Sequence, residues 1–407
     1  MGQEKRIEQP ALSSIESSGQ MLGDMAFGIE QRLCDHPLDR TDARHNDAPS
    51  PALIQHHARQ PSPAGRRQRD RQEPFLQRRS QRPTERHEAE CIAQCAAQVF
   101  AQLGGEADFF EIGGGSGAFA EAALRHWQAT DALPARYLIL EPSADLRERQ
   151  AERLRAALPA DVFARVRWLD GPPEAEWRGM LFANEVLDAL PTPRFAMRGG
   201  EVYEEYVALS PEGALIRVDQ PADALLHAAV RHIERDIGKP FAEGYRSEVL
   251  PQLPYWIQAV GGLLEDGAML YVDYGYPRHE YYLPERSDGT LVCHHRHTAH
   301  GDPFHLPGLQ DITAFVDFTA LAEAGVGAGF DFAGYCAQAS FLINCGLAER
   351  LAAIEAIADP VERHHRHNEV KRLTLPGEMG ERFQVMGFQR GVEIRPLFAR
   401  GDLSRRL

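Results

Sequence analysis

Asp108-Phe-Phe-Glu-Ile-Gly-Gly-Gly-Ser-Gly117 decides the fold of this 407-residue chain. Its first five residues form a short apolar strand, its last five a glycine-rich turn, and residues 118–127 then read as a helix. Glycines at that junction let the backbone turn sharply and approach a ligand closely. Gly113, Gly115 and Ala118 have the G-x-G-x-x-A spacing of a nucleotide-binding turn, with Gly117 beside them. Glu111 stands two residues before the first glycine and so places a carboxylate at the strand end. A pyrophosphate is repelled there, whereas a cationic or amine-bearing ligand such as the methionine part of S-adenosylmethionine is attracted. Glu141 ends the next strand, where it can accept hydrogen bonds from both ribose hydroxyls of a nicotinamide or an adenosylmethionine cofactor.

Outward from this turn the pattern is strand and helix in alternation. Residues 91–103 are Ala-rich with helical period, 137–141 and 166–169 read as strands, and 146–158 as a helix between them. Residues 179–184 and 268–274 are a fourth and a fifth strand. This order predicts an α/β fold with a parallel, doubly wound, Rossmann-like sheet. The segment between the last two strands is too long for one crossover. Within it, 202–209 and 214–218 read as a hairpin, and 222–237 and 254–264 as helices. An inserted lobe over about residues 195–262, beside the carboxyl edge of the sheet, is expected. Residues 275–310 read as a Gly-, Pro- and His-rich loop, 312–324 as a helix, and 330–342 and 383–390 as the last strands.

Composition narrows the function classes. Apolar residues are 43% and charged residues 25%, so a substantial core can be buried. The formal charge of −15 disfavours a nucleic-acid partner. No run of 18 apolar residues exists, so membrane insertion is not expected, and the first 33 residues carry five acids and no apolar signal core. Six scattered cysteines fit free thiols in a cytoplasmic protein, and neither they nor the clustered histidines form a metal-ligand pattern. Residues 34–90 hold 11 Arg and 7 Pro but a single aromatic, which predicts a largely disordered segment ahead of a domain spanning about 91–400.

Five further strings resemble one known family. Phe182-Ala-Asn-Glu-Val-Leu-Asp-Ala-Leu-Pro191 resembles the ANE-x-x-DALP signature of the MidA-like methyltransferases, a family that includes the mitochondrial complex I assembly protein-arginine methyltransferase. Tyr271-Val-Asp-Tyr-Gly-Tyr276 looks like its IDYGY strand end. Gly289-Thr-Leu with His297 and Gly301-Asp-Pro is similar to its GTLR…H…DP loop. Pro307-Gly-Leu-Gln-Asp-Ile-Thr-Ala-Phe-Val-Asp-Phe318 resembles PGEQDITAHVDF, and Gly377-Glu-Met-Gly-Glu-Arg-Phe-Gln-Val-Met386 resembles EMGELFKVM. The likeness covers about residues 91–395. One departure stands upstream: the family's GYYSAG…GDFVTAPE stretch, which packs over the cofactor, has no counterpart in residues 34–90. A reading-frame shift, in the gene or its sequencing, is the explanation we expect for both this loss and the Arg-rich texture. An alternative frame encoding such a peptide upstream of Cys91 is the expected finding in the nucleotide sequence.

The resemblance implies a class I S-adenosyl-L-methionine methyltransferase with a seven-stranded sheet whose last strand is antiparallel. It implies methyl transfer to an arginine nitrogen of a partner protein, in the mitochondrial case a complex I subunit. Under that reading Glu185 and Asp188, three apart on one face of a helix after the fourth strand, grip the acceptor's guanidinium. Alternatively they only cap that helix. Asn184 lies near the transferring methyl, and Asp170 at the third strand end meets the adenine amine, with an ordinary loop acid the other reading of Asp170. Asp273, Asp311 and His297 are candidate substrate-binding residues, with a helix N-cap before Ile312 the other reading of Asp311. Two other functions fit the chain: a non-catalytic assembly protein that retains the fold, and an NAD(P)-dependent oxidoreductase.

Overall fold

The computed structural model describes residues 85–296 and 298–407. The expectations for residues 1–84 and for His297 lie outside the described residues. Helix α1 (Glu85–Gln102) opens the described chain and buries Cys91, Ile92, Cys95 and Val99 in the main core. It starts earlier than the apolar run at Cys91 predicts, because its polar first turns find partners. Arg350 Nη1 donates to Glu90 Oε2 at 2.8 Å, and His87 Nε2 lies 3.3 Å from Glu369 Oε2.

Burial alone would raise the pKa of Glu90, but the nearby His87 ring, the hydrogen bond from Arg86 and the charge of Arg350 outweigh it and hold the carboxyl at about 2. A carboxyl depressed in the folded state stabilises above its unfolded pKa, and that contribution is lost as pH falls through the folded value. Stability is therefore expected to decline from about pH 4.5 towards about pH 2. Glu90→Gln should flatten that limb in urea melts taken across the range, and an unchanged limb would exclude Glu90 as its source.

Next come β1 (Asp108–Ile112), α2 (Ala118–Ala129), β2 (Tyr137–Leu140), α3 (Ala144–Ala157), β3 (Val166–Leu169) and β4 (Trp177–Asn184). The inserted segment holds β5 (Arg194–Arg198), β6 (Glu201–Leu209), β7 (Leu215–Pro221), α4 (Ala224–Asp236) and β8 (Arg246–Glu248). Then follow α5 (Leu253–Gly261), β9 (Leu264–Tyr276), β10 (Val292–His295), β11 (Thr298–His300), β12 (Asp311–Thr313) and β13 (Val316–Asp317). The chain closes with α6 (Phe318–Gly327), β14 (Asp331–Ala337), α7 (Gln338–Asn344), α8 (Leu347–Glu355), α9 (Pro360–Thr374) and β15 (Phe383–Arg390).

The main sheet runs β3-β2-β1-β4-β9-β15-β14, with β13 beside the end of β9. Strands β3, β2, β1, β4 and β9 are mutually parallel, and β15 is antiparallel to both β9 and β14. This is the expected doubly wound sheet with its reversed last strand. All five residues of β1 are buried, as a strand covered on both faces requires. Strand order reverses between β1 and β4, so the loops leaving these two neighbours diverge and open a crevice at their carboxyl ends. At the opposite end, Asp108, Gly179 and Gly267 lie in one row across β1, β4 and β9. A Cβ on Gly179 would come within 1.9 Å of the Asp108 carbonyl oxygen.

The expected hairpin of the inserted segment is β6–β7, but its sheet has four strands, β7-β6-β5-β8. Phe195 and Met197 of β5 pack with Val230 and Ile233 of α4 and with Tyr245 and Tyr282. Three expectations need correction here. The strand expected over 330–342 ends at Ala337, where α7 begins. Residues 275–310 are not all loop, since β10 pairs with β11 and with β12. The helix expected over 312–324 begins only at Phe318, because the Asp317 side chain accepts the Thr319 and Ala320 N–H groups and so caps it there. Among the described residues no helix is long and apolar enough to cross a membrane. The five described cysteines are free and buried.

Candidate active site

The crevice is built by three loops. The first, after β1, turns through Gly113, Gly115 and Gly117 at φ 72°, 50° and 75°, a region that favours glycine. A Cβ on Gly113 would sit 2.9 Å from Val186 Cγ2, whereas one on Gly115 would meet nothing within 4 Å. The loop therefore packs against the β4 loop at one end and is open at its middle. Glu111 beneath it is 4% exposed and accepts the Tyr137 hydroxyl proton at 2.8 Å.

The second loop, after β2, carries Glu141, 5% exposed. Its Oε1 accepts the Ser143 N–H at 3.1 Å and its Oε2 accepts from Gln150 Nε2 at 3.3 Å. Ser143 in turn caps α3, where the Leu146 N–H donates to its Oγ at 3.3 Å.

The third loop, after β4, does not form the helix that Glu185 and Asp188 were expected to share. Glu185 has φ 53°, a left-handed conformation, while its N–H still donates to the Val272 carbonyl at 2.9 Å. A single 3-10 turn over Leu187–Ala189 follows. Asp273 holds that turn: its Oδ2 accepts the N–H groups of Leu187 at 3.0 Å and Asp188 at 3.2 Å. Asp188 is 1% exposed and accepts the Tyr274 hydroxyl proton at Oδ2. Its carbonyl takes the Ala314 N–H at 3.0 Å, tying the loop to the segment between β12 and β13.

Tyr274→Phe withdraws a donor from this buried carboxylate. A loss of about 1–3 kcal/mol of unfolding free energy is expected, read by urea titration. An unchanged midpoint would show that Asp188 does not depend on Tyr274.

The structure thus gathers Glu111, the three glycines, Glu141, Asn184, Glu185, Asp188 and Asp273 at the carboxyl ends of β1, β2, β4 and β9. Asp170 stands beside Glu141, each one residue beyond the paired Leu169 and Leu140, whereas Asp311 lies on β12, outside the main sheet. Asp170 is exposed and paired with Arg147 Nη1 at 2.7 Å. Asp311 is exposed on β12 opposite His294, in a strand and not at a helix N-terminus. Asp273, buried, meets backbone N–H groups and so serves the loop's shape. Among the described residues no group of three His, Cys, Asp or Glu is arranged to hold a metal ion.

Sequence reasoning missed Gln150 and Tyr274. Gln150 lies between Leu146 and Leu154 at i, i+4, i+8 spacing, a polar residue on the inward stripe of an otherwise charged helix. That position was its only signal.

The donor set fits S-adenosylmethionine. Two buried acids stand at adjacent strand ends, an open glycine turn lies between them, and the Asn184 Oδ1 atom is buried with no hydrogen-bond partner. Comparison with known proteins agrees. Residues 91–336 match the family model described as "Putative S-adenosyl-L-methionine-dependent methyltransferase". A crystal structure of an uncharacterized protein from Burkholderia thailandensis is 40% identical over 80% of this chain and 84% of that one, with a TM-score of 0.72. Another Burkholderia thailandensis structure of the same superfamily, bound to S-adenosyl-homocysteine, is 41% identical over 78% of this chain and 80% of that one, with a TM-score of 0.71. The mitochondrial protein arginine methyltransferase NDUFAF7 of Danio rerio is 31% identical over 213 residues, 50% of this chain. The chain spans about half the length of that curated relative, 46% of it. On the extent of the family match and the shared fold, the chain belongs to this family of S-adenosyl-L-methionine-dependent methyltransferases.

Proposed function

We propose that the chain binds S-adenosyl-L-methionine in the crevice above β1 and β4 and directs its methyl group to an arginine nitrogen of a partner protein. The observation that carries the reading is the pair of carboxylates on the β4 loop, Glu185 in a left-handed conformation and Asp188 buried and held by Tyr274. When bound, the cofactor supplies an electrophilic methyl on a sulfonium leaving group. Glu111 offers negative charge towards its amine, and Glu141 accepts from its ribose. Guanidinium has a pKa above about 12, so no ordinary base deprotonates it beforehand. Carboxylates instead bind it bidentately and draw its charge away from the attacking nitrogen. Glu185 and Asp188 take that part, and Asn184 Oδ1 accepts from the acceptor's N–H. Arginine as the acceptor is also supported by the likeness to the Danio rerio enzyme.

The test has two stages. Calorimetric titration with S-adenosylmethionine and S-adenosylhomocysteine should give saturable one-to-one binding. Protein labelled from methyl-labelled cofactor, then hydrolysed to amino acids, should yield methylarginine, and Glu185→Gln should reduce it at least tenfold, the effect of about 1.4 kcal/mol. Label on lysine, or cofactor binding with no transfer to any protein, would overturn the arginine assignment and favour a non-catalytic assembly protein. Binding of a nicotinamide dinucleotide in place of S-adenosylmethionine would favour the oxidoreductase.

A further inference from the structure

Gln150 is wholly buried beneath the glycine turn and touches both that turn and the acid after β2. Its Nε2 donates to the Gly115 carbonyl at 2.9 Å and to Glu141 Oε2 at 3.3 Å, and its Oε1 accepts from Trp168 Nε1 at 2.9 Å. The amide orientation follows from chemistry. An indole N–H only donates, so the atom facing Trp168 is the oxygen. The nitrogen then faces a carbonyl and a carboxylate, both acceptors. The turn also rests on this side chain: a Cβ on Gly114 would lie 3.1 Å from Gln150 Nε2, and one on Gly117 3.3 Å from Gln150 Cα. Gln150 thus ties β3, through Trp168, to the turn after β1 and to the acid after β2.

We infer that Gln150 is a positioning residue for the cofactor, fixing Glu141 and the Gly115 carbonyl in the geometry that receives the ribose. This rests on the proposed cofactor reading. An ionised carboxylate has about four lone-pair sites. Ser143 and Gln150 occupy two of those on Glu141, one on each oxygen, which orients the group and leaves capacity for two ribose hydroxyls. Without Gln150 the carboxylate loses its second anchor, and the Gly115 carbonyl and Trp168 N–H lose their partners.

The discriminating variant is Gln150→Glu. An ionised carboxylate there would face Glu141 and a carbonyl with no proton to offer, whereas the protonated acid restores one donor and still accepts from Trp168. The titratable groups near the site are Glu141 and, across Gly114, Glu111, which is bound by Tyr137. Arg147 and Arg153 on the same helix are paired with Asp170 and Glu121. Burial and a neighbouring carboxylate both favour the protonated form, moving recovery to a mildly acid range.

The experiment is calorimetric binding of S-adenosylhomocysteine to the full chain, with folding of each variant checked by circular dichroism. Gln150→Leu should bind at least about tenfold more weakly than the unmodified chain. Gln150→Glu should be similarly weakened at about pH 8 and should regain about tenfold at about pH 5.5 relative to the unmodified chain. A folded Gln150→Leu that binds within about twofold of the unmodified chain would overturn the role. So would a Gln150→Glu affinity that follows the unmodified chain at every pH, which decides the matter even if Gln150→Leu fails to fold. Absence of binding by the unmodified chain is a separate result: it removes the cofactor reading, and this role with it.

Discussion

Glu141→Ala is expected to weaken S-adenosylhomocysteine binding at least about a hundredfold, because two charge-assisted hydrogen bonds of about 1.5–3 kcal/mol each are removed together. The carboxylate is nearly inaccessible to solvent and held on both oxygens, so little conformational freedom has to be lost when a ribose docks. Folding should suffer less. The Ser143 N–H and Gln150 Nε2 lose an acceptor, but truncation opens a polar space beside the crevice that water can enter. Calorimetry gives the affinity, and thermal unfolding without ligand gives the stability. Glu141→Gln retains one acceptor oxygen and should fall between the two. Undiminished binding by the alanine variant would remove Glu141 from the cofactor site and leave the ribose contact to be sought elsewhere.

The largest expected effect on folding lies at the opposite end of the sheet. Gly179 has φ 149°, and an added Cβ would lie 1.9 Å from the Asp108 carbonyl oxygen and 2.8 Å from the same residue's C and N atoms. Gly267 repeats the arrangement one strand further on, 1.9 Å from the Gly179 carbonyl oxygen. Both obstacles are backbone of paired strands, so no side-chain rotation relieves them. Gly179→Ala must part β1 from β4 at that row, and a loss of more than about 4 kcal/mol is expected. That is a large share of the roughly 5–15 kcal/mol of a typical domain. The chain should be recovered insoluble or without a cooperative melt. Gly115→Ala is the control: its φ is positive, but the space is open, so the cost is about 1–2 kcal/mol of backbone strain. A Gly179→Ala protein melting like the unmodified chain would mean that the strands can separate locally at little cost.

The contrast between these positions bears on what could be read in the sequence. The central sheet was legible because its strands carry apolar runs, as in Tyr137–Leu140 and in Met180–Ala183 of β4. The edges were not. Arg194–Arg198 is bounded by arginines, and Val292–His295 is half histidine. Their strand character comes from pairing with β6 and β8, and with β11 and β12, which no local pattern displays. In the site, the acids were visible as residue types at strand ends, but not their geometry. The sequence Glu-Val-Leu-Asp after β4 has helical spacing, but Glu185 takes φ 53° while its N–H pairs with the Val272 carbonyl, so only the 3-10 turn that Asp273, 85 residues beyond Asp188, caps at Leu187 and Asp188 follows. Gln150 was hidden for a related reason. In a helix dense with Arg and Glu a glutamine reads as solvated, and only the tertiary position of Trp168 and Gly115 makes it buried.

Under the proposed function, Glu185 brings two selective pressures into opposition at one codon. At φ 53° a side chain costs about 1 kcal/mol that glycine does not, so Glu185→Gly should raise the melting temperature by a few degrees. A library randomised at this position and sorted for thermal resistance alone should drift to glycine, with asparagine behind it. The same library sorted for methyl transfer should return the carboxylate. The gap between the two enriched sets measures, in one experiment, how much robustness the chain forgoes to keep an acid at the mouth of its crevice.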